Sequence, residues 1–234
     1  MFKSILLKEW AKTGRCFLCM VAVVAAVVAW QMIDISKTVD FQGISSLWED
    51  MLEHDSVLIS MLQYLPPVAG LVLAVAQYVP EVQQKRLKLT LHLPYPQTRM
   101  MLVMYGYGMV LLCLVALCQT MALHIFMRHY LPGVLVSVII QSTLPWHLAA
   151  LMAYTWMAAV CLEPTWRMRL AYLCVAAALV GCCYLSPVAG AYNRFVPLLA
   201  VWTVLSASVI MTSVGRFKDT WRSEERFSRN AETD

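Results

Sequence analysis

The chain has 234 residues, of which 60% are hydrophobic and 14% charged, with a formal net charge of +4. Soluble domains carry roughly 25% charged residues, and the mean hydropathy here is +0.64. That balance excludes an ordinary soluble fold and points to an all-α integral membrane protein, because a helix satisfies its own backbone groups in lipid.

In chain order, FKSILLKEWAK comes first, with Phe2, Leu6 and Trp10 at helical spacing and Lys3, Lys8, Glu9 and Lys12 between them. This predicts a short N-terminal helix lying in the headgroup layer, its lysines turned to lipid phosphate. The first apolar run, about 16–33, continues through Trp30, Gln31, Met32 and Ile33 without a small-residue cleavage pattern, so it reads as a retained span. Residues 34–56 carry Asp34, Asp40, Glu49, Asp50, Glu53 and Asp55, and ISSLWEDMLEHD within them reads as an amphipathic surface helix.

The second run, about 57–79, holds Pro66 and Pro67, which remove two backbone donors and predict a kink or a break. Gln63, Tyr64 and Gln77 near it either face an internal pathway or accompany a simple packing kink. A third run covers about 101–127. Residues 131–140, bracketed by Pro132 and Pro145, are too few to cross about 30 Å of hydrocarbon. They are expected to form a re-entrant or surface segment before a fourth run at 144–162, or to merge with it into one tilted span. A short EPTWRMR turn, 163–169, leads to a fifth run at 170–187, and SPVAGAYNR to a sixth at 195–215. A single membrane domain of residues 1–215 with a charged tail, 216–234, follows.

None of the six runs contains Asp, Glu, Lys or Arg. With the N-terminus inside, fifteen of the 18 basic residues fall on the cytoplasmic side, leaving only Lys37, Arg128 and Arg194 outside. The excess of Lys and Arg in cytoplasmic loops therefore predicts six spans with both termini cytoplasmic. The absence of intramembrane carboxylates argues against a proton relay or an ion-coupled carrier.

Eight cysteines, at 16, 19, 113, 118, 161, 174, 182 and 183, fall in or beside apolar runs and are expected to be buried thiols that pack as small hydrophobes. His54, His92, His124, His129 and His147 are scattered without the spacing that sets two ligands on one helical face, so no metal is expected. No glycine is followed by lysine, which removes the phosphate-binding loop of nucleotide hydrolases. The chain is not expected to be an enzyme or to hold a cofactor. Ala22 with Ala26, and Ala177 with Gly181, stand at the four-residue spacing that lets helices approach closely in lipid, and are candidates for a subunit contact.

The segment EVQQKRLKLTLHLPYPQTR, 81–99, is both basic and rich in leucine. Wound as a helix it is apolar on two sides, able to dip into lipid and press on a protein at once; read more simply, its cations anchor a loop. Glu81, Lys85, Arg86, Thr90, Leu91, Leu93, Pro94 and Arg99 stand in an order that resembles the coupling region of type-2 ABC exporter permeases. In that family the membrane subunit works with a separate cassette ATPase. The resemblance implies a coupling helix over 81–93, with Leu87 or Leu91 as apolar contacts and Lys85, Arg86 and Lys88 as charge partners. It also implies Glu163, Trp166 and Arg167 as a second cytoplasmic contact, ATP and Mg bound by the partner ATPase, a second permease subunit (identical or not), and a bacterial inner membrane. Two departures stand out: Lys88 replaces the glycine usual before the threonine, and Gly106 and Gly108 occupy the start of the third span where a lysine is usual. The substrate expected is apolar or amphipathic. A polytopic accessory protein that binds a partner complex without transporting anything also fits.

Overall fold

A computed structural model describes residues 2–43, 59–83, 97–186, 188 and 190–231. Among them the fold is all-α, with six helices and one 3-10 turn: α1 Phe2–Gln42, the turn Ser60–Leu62, α2 Leu65–Gln83, α3 Gln97–Tyr130, α4 Gly133–Leu162, α5 Trp166–Cys182 and α6 Val196–Ala231. Five of the helices, all but α5, are long and apolar enough to cross a membrane. α5, at 17 residues, lies at the short limit of a crossing helix.

Sequence chemistry sets most of the boundaries. α1 ends at Gly43, whose φ of 84° closes the last turn as its N–H donates to Val39 O. α2 begins at the proline pair: Pro66 and Pro67 sit in its first turn, where no intrahelical N–H is required. The proline pair thus marks the start of a helix, with the 3-10 turn before it, instead of a kink in the middle of a span, and Pro80 lies inside the helix that follows. α4 stops at Leu162 because Glu163 precedes Pro164, which holds the Glu163 backbone extended at φ −72° and ψ 126°.

Three expectations are corrected. The N-terminal segment is no separate surface helix, since α1 runs unbroken for 41 residues from Phe2 into the first apolar run; nothing between them breaks a helix except Gly14, which a helix interior tolerates. Residues 133–162 form one helix with Pro145 inside it, which overturns the re-entrant alternative. The cysteines are less buried than expected: Cys183 is buried, but Cys19, Cys113, Cys118 and Cys174 are exposed. In lipid an apolar side chain has no reason to turn inward, so exposure of small hydrophobes follows.

α4 is the central element, packed against α2, α3, α5 and α6, while α1 lies across α2 and α3. Gly70 of α2 lets that helix approach α4 so closely that a Cβ there would overlap Ala150 O. Buried side chains gather in two clusters. One includes Tyr78, Met101, Met104 and Tyr154 at the end of the bundle that holds the N-terminus and runs on to Cys183 and Leu199; the other, around Ile59, Leu62, Leu123 and Trp146, lies toward the opposite end. Outward faces carry Leu18, Trp30, Val110, Leu117, Ile125 and Val204 exposed, as a hydrocarbon surround allows.

Candidate functional site

The end of the bundle holding the N-terminus also holds the last turn of α2 and the first of α3, which flank residues 84–96, and the α4–α5 turn. Here Ile5, Glu9, Lys12 and Thr13 of α1 share the face turned to α2 and α3, whereas Leu7 and Trp10 face outward at 69% and 45% exposure. This reverses the reading of the segment from its pattern. Glu9 is fully buried and Lys12 nearly so, instead of meeting headgroups.

Glu81, in the last turn of α2, is also fully buried. Its Oε1 meets Lys8 Nζ at 2.9 Å and Lys12 Nζ at 3.1 Å, and Lys12 Nζ lies 2.9 Å from Glu9. Two carboxylates and two ammonium groups form a formally neutral ladder between α1 and α2. Removal from water is costly for each charge, and close pairing offsets that cost.

The ladder continues into neutral polar groups. Gln77, one turn before Glu81, donates from Nε2 to Glu9 Oε2 at 3.0 Å and to Met104 O at 2.7 Å. Its Oε1 accepts the Tyr154 hydroxyl at 2.7 Å, so the network reaches α3 and α4. Tyr154 stacks on Tyr105, with ring centroids 5.7 Å apart, and Tyr105 shares a 2.9 Å hydrogen bond with Thr155. Gly108 makes room for Tyr154: a Cβ there would overlap the phenol oxygen. On the other side Thr13 Oγ1 donates to Glu9 O and lies 3.0 Å from Tyr107 OH.

At the α4–α5 turn Glu163 is fully buried. Its Oε1 accepts from Thr165 Oγ1 at 3.0 Å, its main-chain O accepts from Arg169 Nε at 2.7 Å, and Arg216 of α6 lies 3.8 Å from Oε2. Beside it Trp166 and Arg167 project outward, Trp166 at 68% exposure.

Of the expected coupling residues, the structure describes Glu81 and Arg99. Glu81 is the centre of the ladder, and Arg99 is exposed in the first turn of α3. Lys85, Arg86, Leu87, Lys88 and Leu91 lie outside the described residues. The expected pathway residues separate: Gln77 joins the ladder, while Gln63 lies near the opposite end, its main-chain O accepting the Tyr184 hydroxyl at 2.7 Å. Pro66 and Pro67 are buried. Ala22, Ala26, Ala177 and Gly181 are all exposed, and among the described residues a Cβ at Gly181 would meet nothing within 4 Å, unlike one at Gly70 or Gly108.

Sequence reasoning missed Glu9, Lys12, Tyr105, Tyr107 and Tyr154 as site members. A signal existed in Glu9-x-x-Lys12 and Gln77-x-x-x-Glu81, two polar pairs each confined to one helical face. Against known proteins, the chain matches no family model, no curated protein and no solved structure.

Proposed function

We propose that the chain is the transmembrane subunit of an ATP-driven exporter of the type-2 ABC class, driven by separate cassette ATPases and paired with a second permease subunit. Six spans, cytoplasmic termini and a coupling helix over residues 81–93 belong to this reading, as does a place in a bacterial cytoplasmic membrane. One observation carries it. Glu81, at the root of the basic, leucine-rich segment, is ion-paired to two lysines of α1, so a push on that root is delivered to two helices at once. The surrounding charges agree: Lys3, Lys8, Lys12, Arg15, Arg99, Arg167, Arg169 and Arg216 all belong to the same end of the bundle, matching the cationic bias of cytoplasmic loops.

In this mechanism ATP binding and hydrolysis occur on the partner. Leu87 and Leu91 seat in it, and Glu163, Trp166 and Arg167 form its second contact. The outward faces of α5, with Ala177 and Gly181, and of α1, with Ala22 and Ala26, are the surfaces offered to the second permease subunit.

The test is co-expression and co-purification with a cassette ATPase, followed by ATPase assay in lipid. Leu87→Asp with Leu91→Asp is expected to lower ATPase recovery on the order of tenfold, the scale of losing an interface anchor. Unchanged recovery and turnover would remove the coupling role. A wild-type chain that binds a partner complex but never stimulates ATP hydrolysis would favour the accessory reading.

A further inference from the structure

Lys8 and Lys12 of α1 are taken up by buried glutamates, whereas Lys3 is exposed and has no ion-pair partner among the described residues. It lines an open groove of about 900 Å³ between the first turns of α1 and the first half of α3. Leu7 and Trp10 form one wall and Leu102 and Val110 the other, all of them exposed. At Gly106, between the walls, an added Cβ would meet nothing within 4 Å, so the hollow is open space and not a seam between side chains. Lys3 is the only charged residue in its lining.

A second cation stands beside it. Arg99 is exposed one turn before Leu102 and shares its face of α3, since positions 99, 102, 106 and 110 follow helical spacing. Its level against α1 can be fixed. Thr13 meets Tyr107 and Ser36 meets Tyr130, each across an offset of 94 residues, so the two helices run parallel in one register. Lys3 is therefore level with position 97, within two residues, or about 3 Å along the axis, of Arg99. Two cations cap one end of a groove whose other lining side chains carry no charge.

Length and charge together name the occupant. From Arg99 to Val110 α3 advances about 16 Å, close to half of the roughly 30 Å of hydrocarbon, which is the depth of one leaflet. The neighbouring segment 84–96 carries Lys85, Arg86 and Lys88, of the same sign as the cap, so charge opposes it as a cover. We propose that this groove is a binding site for an anionic glycerophospholipid, one acyl chain lying over Gly106 between α1 and α3 and the phosphate held between Lys3 and Arg99. The lysine stem rests on apolar surface while its ammonium stays at headgroup level, where cations attract anionic lipid. A zwitterionic lipid fits the same space, but its own positive group meets two like charges. The site is independent of the transport reading: it needs only this chain, and no ATPase enters its test.

The purified full-length chain is reconstituted in phosphatidylcholine vesicles containing rising fractions of phosphatidylglycerol with brominated acyl chains, which quench nearby indoles. The signal of Trp10, one of eight tryptophans, is taken as the difference between wild type and Trp10→Phe. Its quenching is expected to saturate, with half-effect at about tenfold lower fraction of brominated phosphatidylglycerol than of brominated phosphatidylcholine, equivalent to about 1.4 kcal/mol. Lys3→Gln with Arg99→Gln, two exposed changes, should bring the two half-effects together. Gly106→Leu fills the groove with a residue that a helix favours over glycine, and should weaken quenching by both lipids. On the unaltered protein, raising the salt concentration should narrow the preference. Equal half-effects in wild type, a preference that survives the double substitution, or full quenching in Gly106→Leu would each overturn the site. So would a Trp10 that neither lipid quenches, the result expected if protein covers the groove.

Discussion

Glu81 and Glu163 are both fully buried, both sit where a helix ends, and both belong to the end of the bundle that holds the N-terminus. Their partners differ in kind. Glu81 is held by Lys8 and Lys12, some seventy positions away in sequence on another helix, whereas Glu163 is held chiefly by Thr165 and Arg169 of its own turn. The first arrangement fixes the position of one helix against another. The second fixes the shape of a corner, with Arg216 at 3.8 Å as a looser tie to α6. The same residue type thus serves tertiary placement on one side of the bundle and local geometry on the other.

Substitutions can test that contrast. Lys12→Met should cost most, about 3–5 kcal/mol, because it leaves the Glu9 and Glu81 carboxylates buried and facing each other with Lys8 alone nearby. Thermal unfolding in detergent reads the loss, and adding Glu81→Gln should recover part of it. Tyr154→Phe comes next at about 1–3 kcal/mol, the cost of stripping the donor from buried Gln77 Oε1. Arg169→Gln should cost least, about 1 kcal/mol, since its bond to the Glu163 carbonyl is half exposed and Thr165 still holds the side chain. A larger loss from Arg169→Gln than from Lys12→Met would invert the assignment of the two glutamates.

Much of the architecture was legible because membrane-crossing helices announce themselves by length and lack of charge. The interruption at Pro66–Pro67 was legible in part, since proline acts through its own covalent geometry, but the pair starts a helix instead of kinking one. Helix faces were harder. At FKSILLKEWAK the apolar residues Leu7 and Trp10 turn outward while Glu9 and Lys12 turn in, the opposite of a soluble helix. In a lipid surround hydrophobicity no longer marks the interior, so the amphipathic pattern shows that two faces exist without saying which is buried. The ladder's aromatic members were hidden for a related reason: Tyr105 and Tyr154 look like any tyrosine in an apolar run until α3 and α4 are brought together. Gly108 was noted only as standing where a lysine is usual, and its use, clearing space for the Tyr154 phenol, depends on a neighbour 46 positions on.

The unbroken course of α1 has a mechanical corollary. Beyond Gly14, from Arg15 to Gln42, it contains neither glycine nor proline, so no joint interrupts it from one turn past the lysines that grip Glu81 to the far end, a stretch of about 40 Å. Such a rod cannot absorb a tilt midway. Whatever shifts its N-terminal end swings Ser36, which touches Tyr130, at the other, so the two ends of the bundle are connected by a single stiff spoke.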